Sequence, residues 1–130
     1  IIASYHGIPK KYFDKGDPYH CYCHKTTRLI SEKFSSVKIK TTFQSRFGPQ
    51  EWLQPYTDKT LENLPKEGVK NVLTICPGFA SDCVETLEEI QIQAKESFLN
   101  SGGENFDMVP CLNDNSDHII LLKSLIERNI

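Results

Sequence analysis

Pro77-Gly78-Phe79-Ala80-Ser81-Asp82-Cys83-Val84-Glu85-Thr86-Leu87-Glu88-Glu89 is the stretch on which the fold turns. Upstream of it, Val69 to Cys76 reads as a buried strand. Downstream, apolar residues fall at helical spacing as far as Asn100. The stretch is therefore a strand-to-helix turn that delivers Asp82, Cys83, Glu85 and Glu89 to the mouth of a sheet. In an open α/β sheet, ligands bind beyond the carboxyl ends of the strands, which makes this turn the first candidate for chemistry. A second reading of its acids stands beside that one. Asp82 and Glu85 form a D-x-x-E pair that fits a capping box, with Asp82 at the N-cap and Glu85 reaching back to its N–H. Glu89, one turn after Glu85, also fits the solvated face of an amphipathic helix.

Outward from the turn, the same alternation of strands and helices continues. Ile1 to Tyr5 reads as a strand, left through His6-Gly7-Ile8-Pro9. Lys10 to Gly16 is expected as a polar, solvated loop. Asp17-Pro18 starts a helix, with Asp17 as N-cap and Pro18 at the first helical position. That helix runs to about Phe34. Val37 to Phe43 is predicted as the next strand, left through Gln44-Ser45-Arg46. A short helix capped by Thr57 or Asp58 follows, and Pro65 ends it. Beyond the central turn, Val84, Leu87, Ile90, Ala94 and Phe98 mark the core face of a helix that Gly102-Gly103 closes. Phe106 to Val109 is the last strand. A final helix covers about Ser116 to Arg128, with Ile119, Leu122, Leu125 and Ile126 expected to face inward.

Strand-helix repetition of this kind implies an α/β three-layer sandwich: a four-stranded parallel sheet with right-handed crossovers, flanked by helices. The strand order is predicted as 2-1-3-4. Four loops then gather at one end of the sheet, bearing His6, then Ser45 and Arg46 with Trp52, then Asp82 to Glu85, then Asn113. A histidine, a carboxylate and an exposed aromatic at that end make a candidate site.

Bulk properties exclude several classes. A chain of 130 residues with net charge -2 forms one domain with a real core and gives no sign of a nucleic-acid partner. No apolar run approaches the ~20 residues a membrane span needs, no signal peptide is visible, and nothing indicates membrane association. Five scattered cysteines are expected as reduced thiols in a cytoplasmic protein. The chain opens directly on what reads as a central strand, so it is expected to be a piece of something longer. His20-Cys21-Tyr22-Cys23-His24 has the look of a metal cluster. Its Cys-x-Cys spacing is tighter than that of structural zinc sites and its side chains point in different directions along a helix, so helix residues of mixed burial is the preferred reading.

Taken together, the loops resemble the ferrochelatase family, which carries out the terminal step of haem synthesis. The matching motifs are Ser4-Tyr5-His6-Gly7-Ile8-Pro9, Gly16-Asp17-Pro18-Tyr19, Gln44-Ser45-Arg46 with Gly48-Pro49, Trp52-Leu53-Gln54-Pro55-Tyr56-Thr57, and Pro77-Gly78-Phe79 with Ser81-Asp82 and Glu85-Thr86-Leu87. The resemblance implies a chelatase-like half, residues 1–130 forming the C-terminal α/β domain of a two-domain protein whose N-terminal half is absent. It implies His6 as the active-site histidine and Glu85 as its partner carboxylate across a porphyrin pocket, both catalytic and both candidate metal ligands. It implies Glu89 as the second acid of a row that carries metal or protons, a row that Gln93 breaks one turn later. Trp52 would line the macrocycle, with Ser45 and Arg46 facing it; Arg46 is expected either on a propionate or as a loop cap. Cys83 stands where some members carry histidine. The substrates implied are Fe²⁺ and protoporphyrin IX, with no permanently bound cofactor. Some members hold a [2Fe–2S] cluster through cysteines near the C-terminus, which this sequence lacks, so none is expected.

The chemistry asked of such a pair is clear. Inserting Fe²⁺ into a porphyrin removes two pyrrole protons and needs a bent ring. A neutral imidazole, with an unperturbed pKa of ~6.5, accepts a proton or binds a borderline metal, and a nearby carboxylate holds the imidazolium, ligates the ion or passes protons outward. Two other readings remain open at this stage: a flavodoxin-like binding or regulatory module without chemistry, and a chelatase for another tetrapyrrole or metal.

Overall fold

The computed structural model describes residues 1–34 and 36–130. Its elements are β1 (Ile2–His6), α1 (Lys10–Asp14), α2 (Tyr19–Ser31), β2 (Lys40–Gln44), α3 (Thr57–Asn63) continued by a tight turn at Leu64–Glu67, β3 (Asn71–Ile75), α4 (Val84–Leu87), a π-helical segment (Glu89–Ala94), α5 (Lys95–Asn100), β4 (Asn105–Met108) and α6 (Ser116–Glu127). The four strands form one parallel sheet in the order 2-1-3-4, as the sequence predicts. The central strand β1 is buried on both faces. Ala3 and Tyr5 join one core cluster with Phe43, Cys23 and Leu53. Ile2, on the other face, packs with Leu61, Ile90, Phe98 and Phe106. This is the apolar run that a strand covered by helices on both sides requires.

Helix α2 starts one residue later than expected, at Tyr19 with Pro18 as its N-cap, and Asp17 just ahead of it accepts the Tyr19 N–H on Oδ1 at 2.8 Å. Several other expectations are corrected. Lys10–Asp14 is a one-turn helix, not a loop, and a Lys10–Asp14 ion pair at 3.0 Å spans that turn. Neither Thr57 nor Asp58 caps α3; Tyr56 precedes it, and Thr57 turns inward to donate to Thr42 at 2.9 Å. Strand β2 begins later than Val37, which is solvent-exposed, and extends one residue further, to Gln44.

The helix after the central turn is not continuous. Between α4 and α5 the ladder widens to i→i+5, with Gln93 N–H on Glu88 C=O at 2.9 Å. The extra residue in that turn changes the helical phase. Ile90, Ala94 and Phe98 stay on the core face, while Val84 and Leu87 rotate out to 60% and 46% exposure. Helix α6 forms where predicted, yet none of its residues is buried, Ile119, Leu122, Leu125 and Ile126 included. Apolar spacing reports that a face exists and not what covers it. Among the described residues no helix is long and apolar enough to cross a membrane.

Candidate active site

The carboxyl ends of β1, β2 and β3 carry the predicted residues, and a buried glutamine organises them. In β1–β2 pairing, His6 is opposite Gln44. Gln44 is 3% exposed, and its side chain spends every atom. Its amide donates to the Glu85 carbonyl at 2.6 Å and to Glu89 Oε2 at 3.3 Å, while its oxygen accepts from Ser4 Oγ at 2.7 Å. Ser4 continues the chain to Thr57 at 2.8 Å. Sequence reading passed over Gln44 except as one letter of a motif. The signal was there: a polar residue closing a strand whose preceding positions are buried needs internal partners.

His6 is half-buried and its backbone is held by Tyr19, whose hydroxyl donates to the His6 carbonyl at 2.8 Å. Its Nδ1 lies 2.7 Å from the Gly7 carbonyl oxygen. A carbonyl only accepts, so Nδ1 carries the proton, and a neutral His6 presents a bare lone pair at Nε2. Gly7 makes this possible. Its N–H continues the ladder to Gln44 C=O at 2.8 Å, and a Cβ there would lie 2.8 Å from that same oxygen and 3.3 Å from Trp52 Cε3.

Trp52, expected as an exposed aromatic, is 5% exposed. Its Nε1–H donates to the Phe47 carbonyl at 3.0 Å, and the Phe47 ring covers it at 5.4 Å. The indole is buried because its one polar atom finds an internal acceptor. Phe47 is the exposed aromatic at this corner.

Glu85 is not a capping residue. Cys83 is the N-cap of α4, and Thr86 Oγ1 accepts its N–H at 3.0 Å. Asp82 turns away to the last loop, where its N–H donates to Asn113 Oδ1 and its Oδ2 accepts from Asn113 Nδ2, each at 2.8 Å. The Glu85 carboxyl, solvent-facing and freed from capping, is held below its ordinary value by a hydrogen bond from the Cys83 side chain, by its own backbone N–H, and by the charge of His6.

Glu89 is clamped. Its Oε1 accepts the Ser45 N–H at 2.6 Å and its Oε2 the Ser45 hydroxyl at 2.5 Å. Ser45 sits at φ +63°, a conformation costly for a residue with a Cβ, and both its donors secure it there. Arg46 turns aside: its Nη2 donates to Asp58 at 2.6 Å and its guanidinium stacks 4.1 Å over Tyr56, which is the loop-capping alternative. Gln93 is exposed and donates to Glu88 at 3.2 Å. Ser45, Arg46, Glu85, Glu88 and Glu89 line one open cleft of about 340 Å³; His6 stands outside it. Among the described residues no three His, Cys, Asp or Glu side chains converge as a metal-holding group, so His6, Glu85 and Glu89 do not form a closed ligand set.

Comparison with known proteins matches the chain to a family. A family model described as ferrochelatase matches residues 1–130. A ferrochelatase of Rhizobium meliloti is 57% identical over 132 aligned positions, covering 100% of this chain and 39% of that protein. Those of Allorhizobium ampelinum and Marinobacter nauticus are each 56% identical over the whole chain, covering 38% and 36% of those proteins. The chain thus spans well under half the length of the curated relatives it matches. In fold it is similar to a cobalamin biosynthesis CbiX protein of Marinobacter aquaeolei, with a TM-score of 0.60 at 10% identity, over 98% of this chain and 93% of that one. Matched to the family model from Ile1 to Ile130, and to these relatives throughout, the chain belongs to the ferrochelatase family.

Proposed function

We propose that this chain is the C-terminal α/β domain of a two-domain ferrochelatase that inserts Fe²⁺ into protoporphyrin IX to give protohaem, and that it supplies the histidine and acid of that reaction. Family membership over residues 1–130 supports a metal-chelatase role in haem biosynthesis. The observation that carries the roles is the tautomer of His6. With Nδ1–H spent on Gly7, Nε2 is the atom left to take a pyrrole proton or to meet the metal, and Glu85 stands on α4 at the same carboxyl end of the sheet.

When Nε2 takes a pyrrole proton, the ring becomes an imidazolium that keeps its Nδ1–H bond and gains a charge that the Glu85 carboxylate stabilises. Glu85 faces solvent and passes the proton on. The ferrous ion enters as substrate, with His6 and Glu85 as its ligands at the mouth; Glu89, engaged by Ser45 and Gln44, serves further along the path. Phe47, with Trp52 packed beneath it, forms the aromatic edge toward the macrocycle, with Ser45 and Arg46 at its rim. The porphyrin sits between this mouth and the remainder of the protein, so the 130-residue chain alone is expected to insert metal very slowly or not at all.

The test is metal insertion by the full-length protein, followed by absorbance, in wild type and His6→Ala. Loss of protohaem formation with unchanged circular dichroism is expected. Near-wild-type turnover by His6→Ala contradicts the assignment. A preference for another tetrapyrrole or another metal would place the protein elsewhere among chelatases.

A further inference from the structure

Two histidines with no part in that chemistry meet on α2. His20 and His24 stand at i and i+4, the spacing that places side chains together on one helix face. Their ring centroids lie 4.4 Å apart with planes tilted by 48°. Aromatic walls hold both rings: Phe13 of α1 packs 4.7 Å from His20, and Phe43 of β2 lies 5.7 Å from His20 and 6.2 Å from His24. Phe43 and Gln44 point to opposite faces of the sheet, so this pair lies across the sheet from the Gln44–Glu89 clamp. The polar edges of the two rings are unspent. His6 and His118 each set Nδ1 against a backbone carbonyl; among the described residues no hydrogen bond engages a ring nitrogen of His20 or His24.

We propose that His20 and His24 form a bidentate site for a first-row divalent ion of tetragonal preference, Ni²⁺ or Cu²⁺, with water in the remaining positions. The distance between the rings suits a cis geometry when both rings turn a nitrogen to one point. An imidazole nitrogen binds such ions at about 2.0–2.1 Å, which puts the metal about 3.2 Å from each ring centroid. Centroids 4.4 Å apart then subtend roughly 90° at the metal, the cis angle of a square-planar or tetragonal centre and not the wider angle of tetrahedral zinc. Imidazole nitrogen also disfavours Mg²⁺ and Ca²⁺, which take oxygen. The adjacent cysteines do not complete the set: Cys23 is buried and Cys21 is exposed one residue along the helix. With no third protein ligand among the described residues, the site is open and its ion exchangeable.

The experiment titrates Ni²⁺ calorimetrically into the chain carrying Cys21→Ser and His6→Ala, which removes the exposed thiol and the mouth histidine. Imidazole proton resonances are followed in parallel. One ion per chain is expected, with paramagnetic broadening of His20 and His24 ahead of His118. Zn²⁺ should bind more weakly than Ni²⁺. Adding His24→Asn, at an exposed position, should lower Ni²⁺ affinity about tenfold or more, since one of two ligands is gone; His20→Asn should do the same. Affinity unmoved by either substitution, broadening spread equally over His118, or no submillimolar binding would each overturn the site.

Discussion

The side-chain amide of Gln44 donates to the backbone carbonyl of Glu85 across 2.6 Å, and Gln44 is the register partner of His6. One buried glutamine therefore sets the helix that bears the acid against the strand that bears the histidine. The bond falls at α4, just before the helix widens into its π segment, where backbone groups need partners from outside the ladder.

Gln44→Leu should be strongly destabilising. The shape is nearly kept, but the Ser4 hydroxyl and the Glu85 carbonyl lose their partner in a buried setting, a cost of about 2–4 kcal/mol. Urea unfolding measures it; a change below about 1 kcal/mol would show that water or a rearranged neighbour replaces the amide.

At Ser45 the smaller substitution should be the milder one. Ser45→Gly loses the hydroxyl bond to Glu89 but relieves the strain at φ +63°. Ser45→Ala loses the same bond and keeps the strain. Chemical denaturation should rank glycine above alanine by about 0.5–1 kcal/mol. Equal stability would mean that the backbone relaxes out of this conformation when the clamp is released.

Much of the fold was legible in the sequence, because β-branched strands, the Asp17-Pro18 start and the strand-to-helix turn each have a local cause. The parallel sheet followed from the strand-helix alternation, and its order from a first crossover running one way and the later ones the other. What was not legible depends on register between distant segments. Glu85 and Thr86 are both sound partners for a capping box, and only the tertiary pull of Asn113 on Asp82 decides that Thr86 does the capping. The π segment was invisible because its residues, Glu89 to Ala94, carry ordinary helical spacing. Trp52 and α6 fail in opposite directions: a site-like aromatic turned out buried, and a core-like face turned out open. That His6 and Glu85 stand at the carboxyl end of the sheet was legible from the order of elements, whereas the partners of Gln44 needed coordinates.

Asp82 should leave a signature in acid. Hydrogen bonds from Asn113 first, then from Cys111 and Thr86, hold its carboxyl below the ordinary value of 3.8. A carboxyl depressed in the folded state stabilises fully above its unfolded value and loses that contribution as pH falls through the folded one. Wild type should therefore lose urea resistance between about pH 5 and about pH 3 more steeply than Asp82→Asn. The effect is small, because the group is largely solvated. Parallel pH profiles for the two proteins would contradict it.

The thiols should separate by reactivity. Burial above all pushes Cys76 up to about 12, and burial with a hydrogen bond to Asp82 does the same for Cys111, whereas Cys21 is exposed. Only the thiolate is nucleophilic, so iodoacetamide at about pH 8 should alkylate Cys21 well before Cys76 or Cys111. Mass spectrometry of timed samples reads the order; early labelling of Cys76 would mean that this end of the core opens readily.

The central claim is that the charge of Glu85, at the same end of the sheet as His6, is used in metal insertion. Thr86 does the capping at Cys83, so Glu85→Gln removes a charge and leaves the helix start intact. The measurement is the rate of ferrous insertion into protoporphyrin by full-length Glu85→Gln across several pH values. A fall of about a hundredfold or more, with folding unchanged, is the predicted result. Turnover equal to wild type at every pH would contradict the claim.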